Sequence, residues 1–242
     1  MTVWWITLAS SYLLCLIAGM NAKTAYVNGF CVKKYNKFFS AMAALILILV
    51  AGLRNGIGDT ATYMEGFRSD APSTISGCIK LLFSGKKDVG FYFYQGIVKT
   101  IKNDPNVFIF VTSLITISLI FITYYKYSQL LELSIFLFIT TGCYLVTMNG
   151  IRQYLASAIL FFCFPLIHQR KWQIYVPVVL VCSTIHKSAL IFLVLYFIVD
   201  QPAWGNTTKW ILFFGIALFV TYPVTGPIVA NLLGETQYGE YK

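Results

Sequence analysis

Charged residues are scarce in this sequence. Asp, Glu, Lys and Arg make up only 11% of its 242 residues, whereas 58% of the residues are hydrophobic. A water-soluble globule of this size needs more polar side chains to cover its surface. The composition therefore excludes an ordinary soluble domain and predicts that lipid is the main solvent of the protein.

Paired cysteine motifs are also missing. No C-x-x-C spacing occurs, and the cysteines stand singly, mostly inside apolar runs (Cys15, Cys31, Cys78, Cys143, Cys163, Cys182). That pattern favours small buried side chains over a disulfide framework or a zinc site. A D-x-D motif, which would hold a sugar nucleotide and its metal ion, is absent as well. We therefore expect neither a metal nor an organic cofactor.

Basic residues outnumber acidic residues by 18 to 9, which gives a formal net charge of +9. They form no patch interleaved with aromatic residues, so nucleic acid is not an expected partner. Basic loops mark the cytoplasmic side of membrane proteins and attract acidic lipid headgroups. Membrane lipids are therefore the partner that the charge predicts.

The apolar residues fall into long runs, each close to the length of about 20 residues that a helix needs to cross a bilayer. These runs are apolar on every side, and they lack the alternation of a barrel strand. The sequence predicts an all-α, multi-pass membrane protein. It should form one transmembrane domain over residues 1–242, with a bundle of about seven helices at 3–20, 38–53, 107–125, 130–148, 151–167, 172–199 and 209–230.

The run at 172–199 is long for one crossing, and the segment 184–188 (TIHKS) interrupts it. One tilted helix and two half-helices both fit this pattern.

Lysine and arginine in the short loops predict the orientation. One basic cluster lies between the first two spans and another follows the fifth (Lys23, Lys33, Lys34, Lys37; Arg170, Lys171). An even number of crossings separates them, so both can face the cytoplasm. The N-terminus and the stretch 54–106 then face outward. Within that stretch, 89–101 is too short and too polar to span, and it predicts an interfacial or re-entrant helix.

Four ionisable residues at span ends or breaks stand on the predicted outer side: Arg54, Asp59, Arg152 and His186. Two guanidiniums can chelate a pyrophosphate, and a carboxylate or imidazole can take a proton from a hydroxyl. Structural roles compete with this hypothesis. Asp59 could be solvated after a glycine turn, Arg152 could reach a lipid phosphate from a helix end, and His186 could hydrogen-bond a neighbouring helix.

At these positions the sequence resembles the EpsG family of bacterial exopolysaccharide polymerases, which are Wzy-like. Short matching segments recur in the family's order: Arg54, Gly58-Asp59-Thr60 with Tyr63, Asp88-Val89-Gly90-Phe91, residues 151–156 (IRQYLA) and residues 186–190 (HKSAL). Other members look longer, with further spans after the residue where this chain stops, so a shortened member is expected. The family often has a glutamate where Asp88 stands.

The resemblance implies polymerisation of oligosaccharide repeat units carried on undecaprenyl diphosphate, at the outer face of the bacterial cytoplasmic membrane. Such an enzyme would be a metal-independent membrane glycosyltransferase of exopolysaccharide or capsule biosynthesis, working beside other polysaccharide-synthesis proteins. The expected catalytic residues are Asp59, His186 and Arg152, with either Asp59 or His186 as the base. The expected substrate-binding residues are Arg54, Thr60, Tyr63, Asp88 and Gln153.

Other function classes share some of these features. Polar residues at span breaks also line transport pathways, so a transporter or flippase of lipid-linked sugars is the main alternative. A membrane acyltransferase would also need a histidine within a membrane channel. A structural subunit of a synthesis complex would need none of this chemistry.

Overall fold

The computed structural model describes residues 2–27, 30–85, 87–199, 201–202 and 204–234. The chain forms two compact units, Met1–Leu193 and Val194–Lys242. The second unit contains the long helix Asn206–Gly234, on which Trp210 stacks against Phe214.

Helices dominate the first unit, as the sequence predicts, and one short hairpin interrupts them. The elements in chain order are α1 (Thr2–Gly19), β1 (Lys23–Val27), β2 (Phe30–Lys34), α2 (Lys37–Gly52), α3 (Thr60–Ser69), α4 (Ile75–Leu82), α5 (Val89–Ile101), α6 (Pro105–Tyr127), α7 (Leu131–Thr140), α8 (Cys143–Asn149), α9 (Ile151–Phe162), α10 (Pro165–His168) and α11 (Trp172–Ile185). A 3₁₀ turn, Lys187–Leu190, leads into α12 (Ile191–Ile198), which runs across the boundary between the units.

Within the described residues, two helices are long and apolar enough to cross a membrane: α1 and α6. The pair α7 and α8 makes a third if it is one span, bent by 55°. Gly142 lies at this bend with a φ of 82°, a conformation that glycine adopts without strain. The remaining apolar helices α2, α9, α11 and the 187–198 segment are shorter. The bundle of seven spans therefore stays a prediction.

One hydrophobic core joins α1, α2, α6, α7 and α8 around buried residues such as Leu47, Ile117, Ile135 and Tyr144. The hairpin closes one end of this bundle. Its Phe30 contacts the rings of Tyr127, Phe164 and His168. The two basic clusters that flank these elements therefore lie at the same end of the first unit, as their spacing predicts.

The stretch 54–106 contains three helices, α3, α4 and α5, of which only α5 is predicted from the sequence. Of these, α3 and α5 build a second core with α6 and α9, in which Phe67 stacks on Phe108 at 5.0 Å, and α4 packs on α5. Lys99 of α5 donates hydrogen bonds to the carbonyl oxygens of Phe67, Arg68 and Ala71 at 2.8–2.9 Å. A cation at a helix C-terminus satisfies its last carbonyls. Lys99 therefore ties the end of α3 to α5.

Candidate functional site

An ion pair between Asp88 and Arg152 lies at the centre of the site. Arg152 Nη1 donates to Asp88 Oδ2 at 2.7 Å, with side-chain exposures of 34% and 15%. Asp88 precedes α5 with a φ of 52°, in the left-handed region, and its side chain does not cap the helix. Only a few per cent of non-glycine residues have positive φ, and aspartate is among the more tolerant. The Asp88 carboxylate therefore binds Arg152 and does not cap α5.

Arg152 stands in the first turn of α9, where two aromatic rings surround its guanidinium. Its Cζ lies 5.8 Å from the ring centre of Tyr63 on α3 and 5.9 Å from that of Phe91 on α5. Rings at this distance stabilise a cation through their negative faces. Arg152 Nε is buried and has no hydrogen-bond acceptor among the described residues. Asp88 and the two rings thus hold the guanidinium in position.

His186 ends α11 at the break that the sequence predicts within 172–199, so the alternative of two half-helices is confirmed. Its backbone N–H donates to Cys182 O at 2.9 Å. Two residues before it, Thr184 packs against Gly90, which lies two residues after Asp88. The ring Nδ1 is buried and finds no partner in the part of the chain that the structure describes. His186 therefore belongs to the same site as the ion pair.

Gly90 explains how α5 and α11 approach closely enough to bring Asp88 and His186 together. A Cβ on Gly90 would lie 2.2 Å from Thr184 Oγ1 and 3.0 Å from the Thr184 backbone carbonyl carbon. Real Cβ atoms do not approach other atoms this closely, so only glycine fits here without a shift of one helix.

Arg54 lies in a separate buried network, with 7% of its surface exposed. Its Nε donates to Thr60 Oγ1 at 3.0 Å, Nη1 to Ser113 Oγ at 2.8 Å and Nη2 to Met148 O at 3.3 Å. Nη1 also donates to Ala51 O. Burial lowers the pKa of Arg54 to about 10, so the guanidinium is still charged at neutral pH.

Most donors of Arg54 are therefore used within the protein, and Thr60, which is 1% exposed, shares this network. Arg54 joins the end of α2 to the start of α3, to α6 and to the end of α8. A small cavity next to it is lined by polar residues that include Thr112, Ser113 and Thr147. The two arginines of the sequence hypothesis hydrogen-bond different partners in this structure.

Asp59 and Gln153 are exposed, and their side chains make no hydrogen bond or ion pair with any described residue. The backbone N–H of Asp59 donates to Asn149 Oδ1 at 3.0 Å. Gly58 permits this contact because its φ is 54° and a Cβ there would lie 2.3 Å from the same oxygen. The turn before α3 is thus fixed next to the turn before α9.

The structure brings together Tyr63, Asp88, Arg152 and His186, which come from four separate segments of the sequence. It does not bring the carboxylate of Asp59 into contact with them. Sequence reasoning missed the contact of Phe91 with Arg152, although the ring belongs to the segment 88–91 that carries the resemblance. It also did not predict that Asn149, in the polar segment before Arg152, accepts from the backbone N–H of Asp59.

The arrangement can bind an anion and move a proton. The partly exposed guanidinium of Arg152 can hold a phosphate oxygen, and the partly exposed imidazole of His186 can exchange a proton with a hydroxyl group. Among the residues that the structure describes, no group of three or more His, Cys, Asp or Glu side chains could hold a metal ion.

The model of the EpsG family matches residues 37–242, which include every residue of the site. The chain therefore belongs to the EpsG family, and membership suggests an exopolysaccharide-related polymerase. No curated protein and no solved structure matches the chain.

Proposed function

We propose that this member of the EpsG family polymerises oligosaccharide repeat units carried on undecaprenyl diphosphate, at the outer face of the bacterial cytoplasmic membrane. The observation that carries the proposal is the convergence of Asp88, Arg152 and His186 from three distant segments. All three stand at the ends of apolar helices, where a lipid-borne diphosphate would lie at headgroup depth.

Arg152 holds the diphosphate of the donor. Asp88 and the rings of Tyr63 and Phe91 fix the guanidinium, while the exposed part of the side chain, 34% of its surface, is open to a phosphate oxygen. A fixed positive charge stabilises a leaving group whose negative charge grows in the transition state. Asp88 acts as a positioning residue that sets the orientation of Arg152.

His186 is the proposed base. The terminal hydroxyl of the acceptor glycan gives its proton to the imidazole as its oxygen attacks the anomeric carbon of the donor. The bond from that carbon to the diphosphate oxygen breaks, and undecaprenyl diphosphate leaves with the electron pair. A single displacement inverts the anomeric centre. Its place on α11, which packs against α5 next to Asp88, favours His186 over Asp59, whose exposed carboxylate contacts none of these residues.

The other predicted substrate-binding residues fall into two groups. Tyr63 lies near Arg152 in the structure, and Gln153 follows Arg152 in the sequence. Tyr63 offers a ring face on which a sugar can stack. Arg54 and Thr60 support the site through the network that joins α2, α3 and α8. We assign them a positioning role.

Turnover by the purified protein tests this proposal. A synthetic undecaprenyl-diphosphate repeat unit is incubated with the wild type and with Arg152→Lys, His186→Asn and Lys187→Gln, the last an exposed neighbour used as the control. We expect the first two variants to lose about 100-fold or more in rate, the range typical of acid–base and electrostatic catalytic groups. The control should polymerise at the wild-type rate.

The cellular phenotype separates polymerisation from transport. A polymerase variant leaves single repeat units on the outer side of the membrane. If cells carrying Arg152→Lys instead strand single repeat units on the cytoplasmic side, the protein moves the substrate and the proposal is wrong.

A further inference from the structure

A second feature of the first unit lies far from the ionisable site, on the surface between α2 and α6. An apolar groove of about 520 Å³ runs along these helices. Its walls include Ala41, Ala44 and Leu45 of α2 and Phe121 and Ile122 of α6. The groove extends from Lys37 to Ile48, about 16 Å at the rise of an α-helix, which is close to the depth of one bilayer leaflet.

Two polar groups mark the end of the groove where α2 begins. Lys37 is exposed at the first position of α2. Ser40, one turn further, is 3% exposed and also lines the groove, and its Oγ has no hydrogen-bond partner among the described residues. A buried hydroxyl without a hydrogen-bond partner costs free energy. A ligand with a hydrogen-bond acceptor or donor at this point would remove that cost.

Positive charge is concentrated at the same end. Lys23 pairs with Lys34 and Thr24 with Lys33 across the hairpin that leads directly into α2. The N-terminus of α2 adds the positive end of its helix dipole. Of the acidic residues, Glu132 lies nearby and accepts from Tyr35 Oη at 3.4 Å. No ion pair joins any of these lysines to an acid within the described ranges.

We propose that this groove binds one acyl chain of an anionic phospholipid, whose phosphate lies against Lys37 and the start of α2. The Ser40 hydroxyl donates to an ester oxygen of the same lipid, at the depth where the glycerol backbone sits below the phosphate. The apolar walls, the excess of positive charge and the unpartnered hydroxyl each match one part of this ligand. Basic pockets beside membrane helices recognise acidic headgroups in this way.

Binding to the full chain in detergent, after removal of native lipid, tests the proposal. The probes are dioleoyl phosphatidylglycerol, dioleoyl phosphatidylcholine and glycerol phosphate, and the readouts are native mass spectrometry and the unfolding temperature. We expect phosphatidylglycerol to bind about tenfold more tightly than phosphatidylcholine, the preference expected for one charge-assisted contact. Glycerol phosphate should neither bind nor stabilise.

Three variants locate the site. Lys37→Gln should remove the preference for phosphatidylglycerol, and Ala44→Trp should prevent binding by filling the groove. Ser40→Ala should weaken phosphatidylglycerol binding while leaving the lipid-free unfolding temperature equal or higher, because it removes an unsatisfied hydroxyl. This variant keeps the test valid if Ala44→Trp does not fold. Lys80→Gln, an exposed lysine of α4, is the control and should bind as the wild type does.

Equal binding of the two phospholipids by the wild type would overturn the proposal. So would unchanged phosphatidylglycerol binding by Lys37→Gln and Ser40→Ala, stabilisation by glycerol phosphate alone, or a dimer that forms through this face and excludes the lipid.

Discussion

At the scale of single residues, two ion pairs within the described ranges differ in exposure and should differ in strength. Asp88–Arg152 is mostly buried, whereas Glu65–Arg68 is 3.4 Å long with side-chain exposures of 70% and 59%. We predict that Asp88→Asn lowers the free energy of unfolding by about 1–3 kcal/mol, because it leaves Arg152 with an uncompensated charge.

Glu65→Gln is the matched control for this prediction, and it should change stability by less than about 0.5 kcal/mol because water screens an exposed pair. Thermal unfolding in detergent compares the two variants. Equal effects would mean that the Asp88–Arg152 contact is no stronger than a surface pair.

A substitution of Arg54 distinguishes a structural role of this residue from a role in substrate binding. We predict that Arg54→Lys lowers the free energy of unfolding by about 2–4 kcal/mol, because an ammonium cannot replace the fork that bonds Thr60, Ser113 and Met148. Chemical or thermal unfolding measures the change. Arg68→Lys, at an exposed arginine, is the control.

The opposite result would assign Arg54 to the substrate. If Arg54→Lys unfolds like the wild type but has lost turnover, the guanidinium contacts the diphosphate directly, and the pairing of Arg54 with Arg152 that the sequence predicts would be restored.

At the scale of elements, the contact of α5 with α11 decides whether Asp88 and His186 meet. We predict that Gly90→Ala lowers the free energy of unfolding by about 1–3 kcal/mol and also reduces turnover, because the new methyl group forces α5 away from Thr184. Unfolding and turnover are measured on the same preparations.

Gly66→Ala, inside α3, is the control because nothing lies within 4 Å of the added Cβ. It should leave turnover unchanged and stabilise the protein slightly, since alanine favours the helix. Gly90→Ala with wild-type turnover would contradict the claim that this helix contact positions the site.

The periodicity of the sequence predicts individual helices, but it does not predict where these helices contact one another. The interval 89–101 is predicted as a non-spanning helix, and α5 occupies that interval. The break near His186 is predicted because polar residues interrupt the apolar run there. It is confirmed, since α11 ends at Ile185. The hairpin was missed, although Asn28-Gly29 in the sequence is a strong signal for a two-residue turn.

The internal use of Arg54 could not be predicted from the sequence. Its partner Met148 is 94 residues away, and it accepts through a backbone carbonyl, which every residue carries. No residue type signals such a bond. The pairing of Asp88 with Arg152 could not be predicted either. The 64 residues between them leave no local pattern that links the two side chains.

At the scale of the whole molecule, the orientation in the membrane can be tested by thiol labelling. We predict that Ser73→Cys, at an exposed position before α4, is modified by a membrane-impermeant thiol reagent in intact cells. Cys31, exposed on the hairpin, should react only after the cells are permeabilised, because its basic neighbours predict that this end of the unit faces the cytoplasm.

The unmodified chain gives the background for this labelling experiment, since it carries the same native cysteines. Labelling of Cys31 but not of Ser73→Cys in intact cells would invert the topology. The ionisable site would then face the cytoplasm, which is inconsistent with polymerisation at the outer surface.

The central claim is that Arg152 and His186 act on one substrate in one site. A double-mutant cycle on the rate of polymerisation measures this most directly, using Arg152→Ala, His186→Ala and the double variant on the undecaprenyl-diphosphate repeat unit. Residues that act as a unit are strongly non-additive. We predict that the double variant is about as slow as the slower single variant. Penalties that multiply would show independent action and contradict it.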